Sequence, residues 1–369
     1  MLTQRQLEKI ADAFGERMEE IVQQYLTAMG EHIRDIGTLL PSDVHRLVEM
    51  RRVDVNMDVI RREIATALEA SEQDVERVFE EVAQTDYRAE AALFDDAKPL
   101  PIVQNAALMR MLESYTRQTA GALANLSNTT VMDTAYRAAV DRAIQAAQSG
   151  VTDYASAIRQ AVKEAASTGL VVKYASGVVR RLDSAVRMNV LDGIRQLNQG
   201  VAVETGKEYG ADGVEMSAHA VCAQDHLPYQ GRQYSHEDYA RLQNQLKRKI
   251  GTWNCRHFVT PVILGVTKPA NSPELLENYR RTSEEKITID GATRTRYEWS
   301  QKQRELETKV RRQKDIANTA RAAGDDVLRR EAQYKIERYQ AAYKKITDKA
   351  MLTAEPNRMY VSGFRGVTT

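Results

Sequence analysis

The chain confines both of its cysteines and four of its six histidines to one stretch, Gly213 to Val266. Cys222 and Cys255 stand there with His219, His226, His236 and His257. They form two signatures, His219-x-x-Cys222-x-x-Asp225-His226 and Asn254-Cys255-Arg256-His257. Two soft clusters 33 positions apart, each holding a cysteine beside histidines, point to metal ligation or burial rather than to a disulfide framework. Outside the stretch the sequence reads as helix. Charged residues make up 28% and aromatics 6%, with Ala, Glu, Arg and Gln abundant. The expected fold is mainly α with a small α+β module, long helices flanking a compact His/Cys-containing unit.

Composition shifts divide the chain into four regions. Residues 1–98 form an acidic helical region, 99–204 a central helical domain, 205–268 the small module, and 269–369 a basic helical hairpin with a tail. Residues 1–100 carry 12 Lys/Arg against 22 Asp/Glu, a net of −10, and residues 279–350 carry 19 against 12, a net of +7. An acidic head and a basic tail suggest different partners for the two ends, nucleic acid for the second. The N-terminal segment has no basic and apolar signal-peptide pattern, and no apolar run reaches the length of a membrane span. A soluble protein made in a cytoplasm is expected.

Along the chain, Thr3 reads as the cap of a first helix that Gly30 stops or kinks. Leu40-Pro41-Ser42 ends a short helix and Ser42 caps another carrying Val44, Leu47 and Val48. A helix over about 55–84 follows, then a hinge over 94–101. Thr152 caps a helix, and the strongest pattern lies over 173–200, with Val178, Val179, Leu182, Val186, Val190, Ile194 and Leu197 in one stripe. Strands are expected at 214–217, 233–235 and 258–264, with a helix capped by Ser235 between the last two. After Pro273 the chain returns to helix, ending in two long helices over 296–322 and 325–350 broken at Gly324-Asp325. Their apolar stripe is thin: Leu306 and Val310, then Val327, Tyr334, Tyr339, Tyr343 and Ile346.

His219, His226, Cys255 and His257 supply the four ligands that a closed structural zinc site needs, with Cys222 as a competing fifth. Ligation by one structural zinc and simple hydrogen-bonded burial both remain open, because the spacing matches no standard zinc finger. A nuclease pattern of the HNH kind is the alternative chemistry. Asp225-His226, Asn244 and His257 follow its order, with the histidine activating water beside a divalent metal. No phosphate-cradling glycine loop and no Gly-x-Ser-x-Gly elbow is present.

Several runs together resemble a known family. These are Ser217-Ala218-His219, His226-x-x-x-Gln230-Gly231-Arg232-x-Tyr234-Ser235 and Asn254-Cys255-Arg256-His257 with Pro261 and Gly265. Upstream, Ser149-Gly150-Val151-Thr152-Asp153-Tyr154 and Leu182-Asp183-x-Ala185-Val186-Arg187 join them, and downstream Tyr297-Glu298-x-x-Gln301-Lys302-Gln303-Arg304. The set resembles tailed-phage minor capsid protein 2, a group similar to MuF-type head morphogenesis proteins. The resemblance implies a virion component of the head, present in multiple copies near the portal, touching portal and other head proteins and the packaged double-stranded DNA. It implies no enzymatic role, and it makes His219, His226, Cys255 and His257 the preferred zinc ligands. Where the family favours Ala-Arg-Pro between the two histidines, this chain has Cys222-Ala223-Gln224. A distant likeness of MuF-type domains to ADP-ribosyltransferases would make Arg187 a nucleotide contact, but no acidic catalytic signature accompanies it. The basic hairpin would lie near DNA through Arg311, Arg312, Arg329 and Arg330, neutralising phosphates without reading sequence.

Overall fold

The computed structural model describes residues 2–37, 57–94, 98–131, 145 and 154–366. Within them the helices are α1 (Gln4–Gly37), α2 (Met57–Ala91), α3 (Ala106–Thr129), α4 (Tyr154–Thr168), α5 (Leu182–Glu208), α6 (His236–Gln245), α7 (Pro273–Glu284), α8 (Arg296–Ala322) and α9 (Asp326–Lys349). The strands are β1 (Thr130–Val131), β2 (Val171–Lys173), β3 (Val179–Arg181), β4 (Gly213–Met216), β5 (Gln233–Ser235), β6 (Val259–Val262), β7 (Lys286–Ile289) and β8 (Ala292–Thr295). They form three small antiparallel sheets, ordered β1-β2-β3, β5-β4-β6 and β7-β8. The mainly helical fold with a compact His/Cys unit is the one the sequence led us to expect. Leu40-Pro41-Ser42, Val44, Leu47, Val48, Thr152 and most of the Ser149–Tyr154 run lie outside the described residues.

The chain folds as two compact units, each assembled from three segments: 1–14, 68–125 and 186–300 in the first, 15–67, 126–185 and 301–369 in the second. Every boundary falls inside a helix, α1, α2, α3, α5 or α8. This arrangement differs from the expected linear series of four regions. Composition shifts mark stretches of sequence, whereas a long helix carries the chain from one compact unit into the other.

In the first unit α5 is buried on nearly every side. Val186, Val190, Leu191, Ile194, Leu197, Val201 and Ala202 are all buried, as expected of a helix without a solvent face. Gly193 and Gly200, two turns apart, let α3 lie against it. A Cβ would fall 2.2 Å from Thr119 Oγ1 at Gly193 and 2.3 Å from Met111 Sδ at Gly200. The expected helix over 173–200 begins only at Leu182. Residues 171–181 are instead the β2–β3 hairpin, closed by Gly177 N donating to Tyr174 O, and Val178 and Val179 are exposed. Thr3 caps α1 in a reciprocal box: Gln6 N donates to Thr3 Oγ1 and Thr3 N to Gln6 Oε1.

In the second unit α1 runs through Gly30 without a stop. The glycine is there for proximity, since a Cβ would sit 2.5 Å from Thr319 O on α8. The α8–α9 turn is where it was expected, with Gly324 at φ +73° and the Asp325 carboxylate accepting from Leu328 N. The apolar stripe of α9 differs: Leu328, Ala332, Ile336, Tyr343 and Ile346 are buried, while Val327 and Tyr334 are exposed. Between α1, β3, the first turn of α5 and α8 lies an ion network of Glu19, Arg181, Asp183, Arg311 and Asp315. Arg181 pairs with Glu19 at 2.5 Å, with Asp183 at 3.0 Å and with Asp315; Arg311 pairs with Glu19 at 3.2 Å and with Asp183. Gln23 extends it, donating to Glu19 and Asp315 and accepting from Asn318. Burial pushes the Glu19 carboxyl up against the opposing pull of Arg181, while the two arginines overcome burial and hold Asp183 well below the usual carboxylate range.

Arg311, expected among the DNA-facing arginines, is half-buried and tied into this network through Glu19 and Asp183. Removing one member of a buried ion network leaves its partners charged and unpaired, at a cost of about 3–5 kcal/mol. Arg311→Met should lose that much in denaturant unfolding, and Arg312→Ala, on the exposed neighbour, should change stability by less than about 0.5 kcal/mol. Equal effects of the two would contradict the network.

Candidate metal centre

The small module is built on β4, buried along its length and paired on both edges, Val214 with Tyr234 of β5 and with Pro261 of β6. The three expected strands and the Ser235 cap are present, the serine hydroxyl accepting from Asp238 N. Ala202, Val214, Met216, Tyr239, Ile250, Cys255 and Val259 make its core. Two connections bring in the polar groups. Residues 217–232, between β4 and β5, carry His219, Cys222 and His226; residues 246–258, between α6 and β6, carry Cys255 and His257.

α5 holds the second connection in place. Asp192, Arg195 and Gln199 lie on one face of this helix and are buried. The Asp192 carboxylate accepts from Trp253 N at 2.8 Å and Asn254 N at 3.2 Å. Both of those residues are left-handed, at φ +51° and +60°, a conformation that asparagine tolerates but that tryptophan keeps only where the surroundings enforce it. Gln199 donates to Ile250 O and accepts from Tyr239 and Gln243. Gly251, at φ +84°, is required beside it, because a Cβ would lie 2.0 Å from Gln199 Nε2. On the other connection Val221 is also left-handed, at φ +61°, directly before Cys222. Asp192 and Gln199 were missed from the sequence; their signal is a polar i, i+7 pair inside a helix with no solvent face.

The five candidate ligands meet, but not as the four that the resemblance favours. They form two triads sharing His257: His226, Cys255 and His257, and His219, Cys222 and His257. In the first, Cys255 Sγ is 3.4 Å from His226 Nδ1 and 3.3 Å from His257 Nδ1. In the second, Cys222 Sγ is 3.7 Å from His257 Nε2. Bond lengths of zinc to sulfur and nitrogen place a tetrahedral S···N edge at about 3.6 Å. His226, Cys222, Cys255 and His257 are buried and His219 partly so; His236, the other histidine of the stretch, bonds Ala211 O away from the cluster.

The surroundings set the tautomers. His226 Nε2 lies 2.8 Å from Arg248 O, an acceptor, so that nitrogen carries the hydrogen. His257 Nε2 lies 3.1 Å from Gln230 Oε1, which also accepts from His219 N. Both Nδ1 lone pairs are thereby left facing the Cys255 sulfur. His219 Nδ1 donates to Ala220 O at 2.9 Å, leaving Nε2 buried and without a hydrogen-bond partner. A fork from Arg248 to Asp225 ties the two connections together. Burial, aided by repulsion from His219 and His226, pushes His257 down to about 2, and burial lowers His219 and His226 as well. Burial pushes the Cys222 thiol up to about 12 and raises Cys255, against the pull of amide hydrogen bonds from Gly251 and His257. The cluster is thus neutral imidazoles and thiols, the donor chemistry a zinc-class cation takes once a thiol yields its proton.

The nuclease pattern does not assemble in a working form. His226 is 1% exposed with Nε2 spent on a carbonyl, and Asn244 is an exposed residue of α6. Asp225 is engaged with Arg248. Arg187, the nucleotide contact of the ADP-ribosyltransferase comparison, pairs with Asp12.

The family model described as phage minor capsid protein 2 matches residues 2–348. The chain belongs to the phage minor capsid protein 2 family. Its membership supports a structural role in the phage head among other virion components, and favours a non-enzymatic one. No curated protein and no solved structure matches the chain. No helix among the described residues is long and apolar enough to cross a membrane.

The turn before Cys255 is held to α5 by the Asp192 carboxylate. Asp192→Ala removes the acceptor of two backbone amides in left-handed residues, each a part-buried hydrogen bond to a carboxylate worth about 1.5–3 kcal/mol. Its denaturant midpoint should fall accordingly, and Asp192→Asn, which keeps one acceptor oxygen, should lose about half as much. An unchanged Asp192→Ala protein would mean that the turn holds without α5.

Proposed function

We propose that this chain is a structural head component near the portal vertex, present in few copies per particle and acting in assembly, DNA packaging or DNA ejection. The observation that carries the reading is the family match over residues 2–348, nearly the whole chain and both compact units. Support comes from the cluster itself, whose ring nitrogens and thiols, His219 Nε2 apart, are turned on one another, on backbone carbonyls and on the Gln230 amide oxygen. On this reading residues 205–268 hold one zinc-class ion that fixes their two connections, and the protein is made in the host cytoplasm before joining the virion.

Quantitative mass spectrometry of purified particles tests the role. The protein should be present far below the major capsid protein and should cross-link to the portal. Absence from mature particles would overturn the virion assignment, and cross-links confined to capsid facets would overturn the portal one.

DNA contact falls to Arg312 and Arg330, which are exposed, and to Arg329, which is half-buried. For every phosphate no longer neutralised, the slope of log affinity against log salt should flatten by about 0.9. Reversing all three charges should weaken binding to double-stranded DNA and reduce that slope by up to about 3. Unchanged affinity and slope would remove DNA from the partner set.

A further inference from the structure

Two sets of metal-capable side chains meet at His257, and we propose that only one of them is a binding site. His226 Nδ1, Cys255 Sγ and His257 Nδ1 take one zinc-class divalent ion through three protein ligands, and Cys222 and His219 stay outside its coordination shell. The inference rests on the reading of 205–268 as a metal-holding module and assigns the ligands of that site.

The assignment follows from hydrogen positions. A metal-binding imidazole gives its other N–H to a carbonyl or carboxylate, which fixes the ring and its tautomer. Both histidines of the first triad already do this, His226 to Arg248 O and His257 to Gln230 Oε1. Gln230 is itself held as an acceptor by His219 N. The two free lone pairs lie 3.4 and 3.3 Å from one sulfur, close to the tetrahedral edge. An ion there needs no ring to flip and no hydrogen bond to break, beyond release of the Cys255 proton to solvent.

The second triad requires the opposite. It would take His257 through Nε2, whose hydrogen belongs to Gln230, and would leave that amide oxygen facing the ion. Cys222 is also engaged, its Sγ donating to Ala223 O at 3.3 Å. The two nitrogens of one imidazole point away from each other, so a single ion can use only one of them. Choosing Nδ1 therefore separates His219 and Cys222 from the site. Three protein ligands leave one tetrahedral position to a small non-protein ligand, water in the simplest case, where the sequence alone suggested a closed four-ligand centre.

Full-length protein loaded with Zn²⁺, and in parallel with Co²⁺ as a spectroscopic stand-in, separates the outcomes. Wild type should retain about one equivalent per chain, the occupancy of a single tetrahedral site. Cys222→Ser should keep that equivalent, with an unchanged thiolate-to-cobalt charge-transfer band. Cys255→Ser should lose the band. Gln230→Leu should weaken Zn²⁺ binding about 10–100-fold, as loss of an outer hydrogen-bond partner does, and Gln230→Glu, which restores an acceptor, should recover it. A band halved or abolished in Cys222→Ser would overturn the ligand assignment while leaving a metal module in place. A folded wild type that takes up no metal would overturn the module reading itself. Should Cys255→Ser fail to fold, the comparison of wild type with Cys222→Ser still decides.

Discussion

The first unit depends on a helix that has no solvent face. Because α5 is surrounded, each of its polar side chains must find a protein partner or remain unsatisfied at a cost. Asp192 and Gln199 meet that requirement with the backbone of 250–254, the turn that leads into Cys255. The same contacts hold Trp253 and Asn254 in left-handed conformations, unfavourable for tryptophan and tolerated by asparagine. The local geometry of the cluster thus originates in a helix more than fifty residues earlier in sequence. Placement of Cys255 is a consequence of satisfying α5.

That dependence explains what could be read from the sequence. The three module strands and the Ser235 cap were legible because β-branched residues, glycine and a capping serine are local signals. So was the break at Gly324-Asp325. The β7–β8 hairpin was equally local, with Asp290 and Gly291 at φ +51° and +78° between runs of threonine and isoleucine, and was overlooked in favour of continuous helix. The β2–β3 hairpin was hidden for a different reason. Val178, Val179, Leu182 and Val186 keep helical spacing by coincidence, and Gly177 at φ +82° overrules it. The ligands were legible by residue type. Their division into two triads was not, because it turns on which ring nitrogen carries hydrogen. That is settled by Arg248 O, 22 positions from His226, and by Gln230, 27 positions from His257.

Charge asymmetry shows a similar limit. An acidic head and a basic tail read naturally as two surfaces for two partners. Within the second unit some of that asymmetry is internal pairing: Glu19 of α1 meets Arg311 of α8, and Gln23 bridges Glu19 to Asp315. Such a network adds little net stability, since the cost of dehydrating five charged groups offsets most of their attraction. What remains for partners is the smaller set of charges left on the surface.

The two buried polar centres solve one problem in different ways. In the second unit, carboxylates and guanidinium groups pair directly with one another. In the module, burial drives imidazoles and thiols to their neutral forms, and what is left is a set of lone pairs aimed at a common point. Two nitrogen lone pairs converging on one sulfur give each other nothing beyond a single shared thiol hydrogen. A cation at that point would engage all three, and the outward N–H groups of both rings would carry its pull into Arg248 and Gln230, one on each connection. The carbonyl acceptors that fix the tautomers are therefore also what would make metal binding a constraint on the backbone of both loops.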